Sequence, residues 1–232
     1  IENSTQMLKR EDLHYIFGEV EGERRWHQTN SEIICMLGKG SGKDECAAIS
    51  CAYVVYQLLC LKQPAAYYGK EPGDTIDIIN IAINAAQANN VFFAKFKRII
   101  DKSPWFAGRY DPKAGQFNFD KNVTVYSGHS EREAFEGYNT IFVVLDEISG
   151  FALEVKEGSE MSKTAGSIFK MYQASVSSRF SEFGKLVLLS FPRFEGDFIS
   201  QRYNKVVASK YVEDMQHTSL INPDLPTGSP RN

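Results

Sequence analysis

A glycine-rich turn that contains a lysine is the first stretch of this sequence that could perform chemistry. The apolar run 33–37 leads into a turn made by Gly38, Lys39, Gly40, Ser41, Gly42 and Lys43, and apolar residues continue to Cys60 without a helix breaker. Glycines let a backbone curl so that its N–H groups point inward, and the amino end of a helix adds partial positive charge. A lysine at the position of Lys43 can reach the outer phosphates of a nucleotide. This stretch therefore predicts a strand, a phosphate-binding loop and a helix.

Two positions depart from the usual phosphate-loop pattern. Leu37 takes the place of the first glycine, and Asp44 stands where a serine or threonine hydroxyl usually helps to hold Mg²⁺. A carboxylate is also a hard oxygen ligand, so Asp44 is a candidate metal ligand, directly or through water. It also suits the first turn of a helix. A glycine-rich turn that binds nothing is the alternative interpretation.

Two adjacent acids follow a second apolar run. Residues 141–145 are apolar, and Asp146 and Glu147 come directly after them. Because ligands gather at the carboxyl ends of the strands in an open α/β sheet, both acids are candidates for a nucleotide site. Asp146 would hold Mg²⁺, and Glu147 would orient and deprotonate the attacking water. A strand that merely ends in a polar turn is the alternative, but the phosphate loop upstream favours the nucleotide site.

Strands and helices alternate along the rest of the chain. The pattern predicts strands at 75–83 and 185–190, a hairpin over 116–127, and helices over 7–17, 87–102, 164–182 and 195–209. This alternation predicts an α/β fold, a P-loop NTPase with a mostly parallel sheet and helices on both faces. The extra strand 75–83, which lies between the two motifs, suggests the branch with an additional strand and a catalytic glutamate.

Composition limits the possible classes of protein. A hydrophobic share of 43% and a charged share of 24% are typical of a soluble globular protein. No apolar run reaches membrane-spanning length and no signal peptide is evident, so we expect no membrane contact and a cytoplasmic location. The net charge of −3 does not indicate a partner, and the basic helix 87–102 is more typical of a solvated face than of a DNA surface. The four cysteines are expected to be buried free thiols rather than a zinc site or a disulfide.

Three parts are predicted along the chain. Residues 1–30 form a polar lead-in with one helix, 31–210 form the P-loop domain, and 211–232 form a tail or linker without apolar periodicity.

Four stretches together resemble the ATPase domain of the large terminase subunit of tailed bacteriophages. They are GKGSGKDE, INIAINAAQANNVFF, FVVLDE and LLSFP, and they occur in the order that this family has. The first and third are shared with many NTPases, and the combination with the other two is more specific. The resemblance covers roughly residues 30 to 225.

The resemblance implies an ATPase motor that uses ATP and Mg²⁺ to move double-stranded DNA into a procapsid. Such a motor would work as a homo-oligomeric ring on a portal, together with a small terminase subunit, in the cytoplasm of the host cell. It makes Lys43 the phosphate lysine, Asp146 the metal acid and Glu147 the catalytic acid. Lys39 stands where the family has an arginine that senses the γ-phosphate, and a lysine supplies a point charge there instead of a bidentate fork.

Further roles follow from the same resemblance. Ser190, Phe191 and Pro192 fall at the segment that couples hydrolysis to movement. Arg132 is the candidate for an arginine passed into a neighbouring subunit's site, with Arg179 as the second choice. Gln28 is a candidate for contacting the adenine base, as an upstream glutamine does in several P-loop families. A large terminase continues into a nuclease domain, and we expect the tail 211–232 to lead toward such a domain.

Two other functions remain open at this point. A helicase or remodelling ATPase has a similar core, although such proteins usually carry two motor domains. A nucleotide-binding scaffold without turnover would explain Asp44 and the irregular loop.

Overall fold

One sheet organises the described part of the chain. The computed structural model describes residues 7–27, 30–83, 88–129, 137–151, 164–208 and 218–221. Eight strands lie within these ranges: β1 Glu32–Met36, β2 Ile76–Ala82, β3 Tyr110–Lys113, β4 Gln116–Phe119, β5 Val123–His129, β6 Thr140–Asp146, β7 Lys185–Ser190 and β8 Thr218–Ile221. Their order in the sheet is β3-β4-β5-β2-β6-β7-β1-β8. All neighbours pair in parallel except β3 with β4 and β4 with β5, which are antiparallel.

Helices cover both faces of this sheet. They are α1 Arg10–Phe17, α2 Glu19–His27, α3 Lys43–Cys60, α4 Pro64–Tyr67, α5 Ala94–Lys102, α6 Ala165–Arg179 and α7 Phe198–Ala208. A π-helical turn, Ala88–Phe93, precedes α5, and short 3-10 helices span Pro104–Phe106, Asp120–Asn122 and Ile148–Gly150. No helix in the described ranges is long and apolar enough to cross a bilayer.

The core lies on both sides of the sheet because successive strand residues point to opposite faces. On β2, Ile76 and Ile78 belong to a cluster with residues of α3 and α5. Ile79 and Ile81 belong to a second cluster with residues of α6 and α7. Every residue of β2 is buried, as expected for a central parallel strand. The predicted α/β fold with helices on both faces is confirmed.

The strand that separates the two nucleotide motifs in space is β7. It lies between β1, which leads into the glycine-rich turn, and β6, which carries Asp146. The sequence suggested that 75–83 was the additional strand, because it lies between the motifs along the chain. The structure places that segment, β2, on the far side of β6. The additional strand exists, but it comes from a later part of the chain.

The two ends of the described chain pack more closely than the sequence predicted. Residues 19–27 form a second helix, α2, although only one helix was predicted within residues 1–30. Met7 and Leu13 are buried, and the hydroxyl of Tyr68 donates to the carbonyl of Met7 at 2.9 Å. Within the predicted tail 211–232, β8 pairs in parallel with β1.

The predicted hairpin is confirmed, and a strand that was not predicted extends it. Lys121 and Asn122 turn the chain between β4 and β5 with positive φ angles. Beyond β4, the short strand β3 forms the sheet edge and contains Pro112, a residue that edge strands tolerate.

The four cysteines are free thiols, as predicted, although not all of them are buried. Cys35 and Cys51 are buried and Cys60 is exposed. Burial raises the pKa of Cys35 to about 12.

Candidate nucleotide site

The glycine-rich turn is built at the carboxyl end of β1. Gly40 and Gly42 have φ angles of 75° and 81°, in the left-handed region that favours glycine. Gly42 precedes the 18-residue helix α3, whose first turn has no side-chain cap. The N–H of Leu37 donates to the carbonyl of Ser190 at 2.9 Å, which fixes the start of the turn against the end of β7. The turn therefore presents backbone and the amino end of a long helix at one edge of the sheet.

Lys43 joins this turn to the acidic strand. It is the first residue of α3 and only 6% exposed. Its Nζ lies 2.8 Å from Oε1 of Glu147. The lysine of the first motif and an acid of the second motif therefore meet directly.

The two acids have different backbone conformations. Asp146 ends β6 and is 2% exposed. Glu147 has φ 55° and ψ 40°, a left-handed conformation that is unusual for a residue other than glycine. The N–H of Gly150 donates to the carbonyl of Glu147 at 2.7 Å, which holds this tight turn. Strained backbone of this kind is common at functional sites, and here it accompanies the contact between Glu147 and Lys43.

The end of β7 contacts both motifs. Oγ of Ser190 accepts a hydrogen bond of 3.4 Å from the N–H of Ser149, in the turn that follows Glu147. Oγ of Ser149 in turn accepts one of 3.3 Å from the N–H of Ile199, in α7. The ring of Phe191 lies 5.0 Å from Nζ of Lys39. Ser190 thus contacts the acidic turn, Phe191 lies near Lys39, and Ser149 links the acidic turn to α7.

Arg193 is a residue of this site that the sequence analysis missed. Its Nη2 lies 3.9 Å from Oε2 of Glu147, and its guanidinium carbon lies 5.3 Å from the centre of the Phe191 ring. The signal that could have identified it is its position, since it closely follows a buried strand that ends at the same sheet edge.

Asp44 takes part in a row of ion pairs between α3 and α5. Its Oδ2 lies 2.8 Å from Nζ of Lys95, and its Oδ1 lies 4.0 Å from Nζ of Lys43. Arg98 pairs with Glu45 at 2.6 Å. Lys95 and Arg98 of α5 therefore face acids of α3.

A magnesium ion fits the oxygen donors of this edge, because it usually takes one or two carboxylates together with phosphate oxygens and waters. Asp146 and Asp44 are the candidate carboxylates. No group of three or more His, Cys, Asp or Glu residues that could hold a metal occurs in the described ranges.

Two buried polar side chains lie on the α3 face of the sheet. Asn80 of β2 is in register with Ser127 of β5 and with Val144 of β6. The side chains of Asn80 and Ser127 have no hydrogen-bond partner among the described residues. By the alternation of β6, Asp146 points to the same face as Val144. Neither position belongs to a motif in the sequence, although both interrupt strands rich in apolar residues.

Of three other predicted residues, the structure describes only Arg179. Gln28 and Arg132 lie outside the described residues. Arg179 ends α6, and its Nη1 donates to the carbonyls of Gly137 and Tyr138 at 2.8 and 2.7 Å. These carbonyls precede β6, so Arg179 lies at the opposite edge of the sheet.

The phosphate loop after β1, the acids after β6 and the strand between them define a P-loop domain of the additional-strand type. The chain belongs to the family described as "Uncharacterized protein MJ0330, N-terminal P-loop domain", whose pattern matches residues 1–225. A curated relative is the uncharacterized protein MJ0330 of Methanocaldococcus jannaschii, 31% identical over 172 residues. That match covers 69% of this chain and 29% of the relative, so the chain spans less than a third of the relative's length.

Solved structures of similar fold include two phage large terminases. The large terminase of bacteriophage HK97 has a TM-score of 0.55 and 14% identity, over 83% of this chain and 35% of that chain. The large terminase of a thermophilic bacteriophage has a TM-score of 0.55 and 12% identity, over 91% of this chain and 44% of that chain. The predicted resemblance is confirmed at the level of the fold.

Proposed function

We propose that this domain is a Mg²⁺-dependent ATPase. The observation that carries the proposal is the 2.8 Å contact between Lys43 Nζ and Glu147, which joins the phosphate loop to the acidic end of β6. A lysine, a catalytic acid and a metal acid at one edge of a parallel sheet are the groups that phosphoryl transfer to water requires.

Each group has a distinct task in this proposal. The backbone of the turn and the amino end of α3 bind the phosphates, and Lys43 exchanges its contact with Glu147 for the outer phosphate oxygens. Asp146 would hold Mg²⁺, with Asp44 as a second candidate, and the bound ion would neutralise charge on the phosphates. Gln28 is the proposed adenine contact and Lys39 the proposed γ-phosphate contact.

Glu147 carries the hydrolytic step. Once Lys43 has turned to the phosphates, the carboxylate of Glu147 accepts a hydrogen bond from the attacking water and orients it toward the terminal phosphorus. The water oxygen bonds to phosphorus, the bond to the leaving oxygen of ADP breaks, and the proton of the water passes to Glu147. The products are ADP and inorganic phosphate.

The finer proposal is that hydrolysis drives movement of double-stranded DNA, as in a packaging motor. The terminase fold supports it, and so do the hydrogen bonds that join the Glu147 turn, Ser190 and α7, because they offer a route from the site to other elements. The ring of subunits, the arginine Arg132 given to a neighbour, the portal and procapsid, and the small terminase subunit belong to this proposal. The named sequence relative is archaeal, so the ATPase proposal does not depend on a phage source.

Two substitutions test the ATPase proposal. Glu147→Gln should lower ATP turnover by at least about 100-fold while nucleotide binding remains, since general-base catalysis contributes roughly 10²–10⁴-fold. Lys43→Ala should lose both binding and turnover. Phosphate release measures turnover, and Lys113→Ala, at a largely exposed lysine, is the matched control. Unchanged turnover in Glu147→Gln or in Lys43→Ala would refute the assignment.

The dependence of ATP turnover on nucleic acid and procapsid separates the packaging motor from the alternative functions. A packaging motor should be stimulated by procapsid or portal with double-stranded DNA, whereas a helicase or remodelling ATPase should respond to free nucleic acid alone. Tight ATP binding without phosphate release, even at high protein concentration, would favour a scaffold without turnover.

A further inference from the structure

The carboxyl edge of the sheet concentrates positive charge around one aromatic ring. Lys39 Nζ, Lys43 Nζ and the guanidinium carbon of Arg193 lie 5.0, 5.8 and 5.3 Å from the centre of the Phe191 ring. Cations within about 6 Å of a ring centre are attracted by its quadrupole, so Phe191 offsets part of their mutual repulsion. Lys39 and Lys43 belong to the phosphate loop, and Arg193 comes from a different part of the chain.

The backbone of Arg193 is fixed by Asp197. Oδ2 of Asp197 accepts a hydrogen bond of 2.8 Å from the N–H of Arg193, and Oδ1 accepts one of 3.0 Å from the N–H of Ser200. Burial opposes the charge on Asp197, but the hydrogen bonds from Arg193, Ser200 and Ser149 outweigh it and lower its pKa. The arginine is therefore anchored at its main chain while its side chain extends toward the site.

The guanidinium of Arg193 is packed against Gly150. A Cβ atom at that position would lie 2.5 Å from Nη2 of Arg193 and would also overlap the side chain of Ile83. Glycine at position 150 thus leaves the space that the guanidinium occupies, in the same turn that holds Glu147.

Glu147 has a cation beside each of its two oxygens. Lys43 Nζ lies 2.8 Å from Oε1, and Arg193 Nη2 lies 3.9 Å from Oε2. The carboxylate is mostly buried, with 12% of its side chain exposed, so the two charges act on it with limited screening. If Lys43 is drawn to phosphate oxygens, Arg193 remains as the positive group beside Glu147.

We propose that Arg193 is a positioning residue that orients the carboxylate of Glu147 toward the attacking water when Lys43 is engaged by a triphosphate. The inference rests on the proposed ATPase function. In this proposal Arg193 acts on the catalytic acid of its own chain, Glu147. It does not bind the phosphates, and it is not the arginine that a neighbouring subunit would contribute.

The first test separates turnover from nucleotide affinity. Arg193→Gln should lower kcat by about 10- to 100-fold, the range typical of a misplaced catalytic group, and leave KM for ATP within about threefold. Arg193→Lys, which keeps the charge on a shorter group, should recover part of the loss. Gly150→Ala should reproduce the loss by displacing the guanidinium without removing its charge, and circular dichroism verifies that each variant is folded.

Arg202→Gln is the matched control. Arg202 also pairs with a glutamate, Glu32, at 2.5 Å, and its guanidinium carbon lies 5.0 Å from the ring of Phe169. Glu32 begins β1, so this pair lies at the opposite edge of the sheet. The control should keep the kcat of the original chain.

The second test measures whether Arg193 contributes to nucleotide affinity when the carboxylate of Glu147 is absent. In a Glu147→Gln background, adding Arg193→Gln should leave the affinity for a non-hydrolysable ATP analogue unchanged, as isothermal titration calorimetry can measure. A tenfold loss of affinity would show that Arg193 binds phosphate and overturn the proposal, as would an unchanged kcat in Arg193→Gln. No phosphate release from the original chain would instead refute the ATPase function itself, and unchanged turnover in Lys43→Ala would refute the assigned site. Both failures are therefore distinguishable from failure of the Arg193 proposal.

Discussion

Lys185, the first residue of β7, is a charged side chain in an apolar environment. It is fully buried, and its Nζ has no hydrogen-bond partner among the described residues. Burial lowers its pKa to about 7, from an ordinary value of 10.5. Between pH 7 and 10.5 the unfolded chain therefore holds a proton that the folded chain releases, so the free energy of unfolding rises with pH across this window.

Replacing this lysine should stabilise the domain. Lys185→Met keeps an unbranched apolar side chain and removes the charge, so it should raise the free energy of unfolding at pH 7 by a few kcal/mol, roughly 1–4. This gain in the free energy of unfolding should shrink as the pH rises toward about 10. At high pH, the release of the Lys185 proton on folding costs the unsubstituted chain less free energy. Urea denaturation across this range measures the difference, and Lys113→Met at an exposed position should show no such trend. A difference that does not change with pH would contradict the buried charge as its cause.

At the scale of elements, the connection between α6 and β7 depends on a glycine. A Cβ atom at Gly184 would overlap Cγ1 of Val176 and lie 2.9 Å from the carbonyl oxygen of Phe180. That carbonyl also accepts a hydrogen bond of 2.6 Å from the N–H of Gly184. The last turn of α6 and the start of β7 are thus too close for any side chain between them.

Gly184→Ala should therefore destabilise the domain by about 1–3 kcal/mol, the usual cost of overpacking. Thermal and urea denaturation give the change, and ATP turnover of the folded fraction should also fall if β7 shifts relative to β6. Gly73→Ala is the control, since nothing lies within 4 Å of a Cβ atom placed there and its φ is not left-handed. Equal stability of the two variants would show that the chain relaxes around position 184.

The elements differ in how well the sequence predicts them. The strands β2, β6 and β7 were predicted because each is a run of buried apolar residues between polar segments. The short strands β3 and β8 were not, because one contains a proline and neither has a long apolar run. The position of β7 between β1 and β6 could not be read locally, since strand order depends on partners distant in sequence.

The same distinction holds for the site. Lys43 and Glu147 were predicted because the types and spacing of their neighbours form known motifs, and the structure brings them together. Arg193 has no motif of its own. Its place beside Glu147 results from the ending of β7 next to β6 and from the space left at Gly150, and both are properties of the folded chain.

At the scale of the whole molecule, the candidate site joins segments that are far apart in the sequence. Lys43 begins α3, Glu147 follows β6, and Phe191 and Arg193 follow β7, yet all of them lie at one edge of the sheet. A ligand held between these segments can bind only when β1, β6 and β7 are correctly paired. Nucleotide binding should therefore stabilise the folded domain as a unit.

This linkage gives a prediction for thermal unfolding. A non-hydrolysable ATP analogue with Mg²⁺, at about 100 times its Kd, should add roughly 2.7 kcal/mol to the free energy of unfolding. For a chain of this size that corresponds to a rise of about 5–10 °C in Tm. Glu147→Gln should keep most of the rise and Lys43→Ala should lose it, whereas Arg202→Gln should lower the starting Tm but keep the rise, because its ion pair lies at the other edge. A rise of equal size in Lys43→Ala would mean that the nucleotide binds elsewhere on the molecule, and the convergence of these segments would then need another explanation.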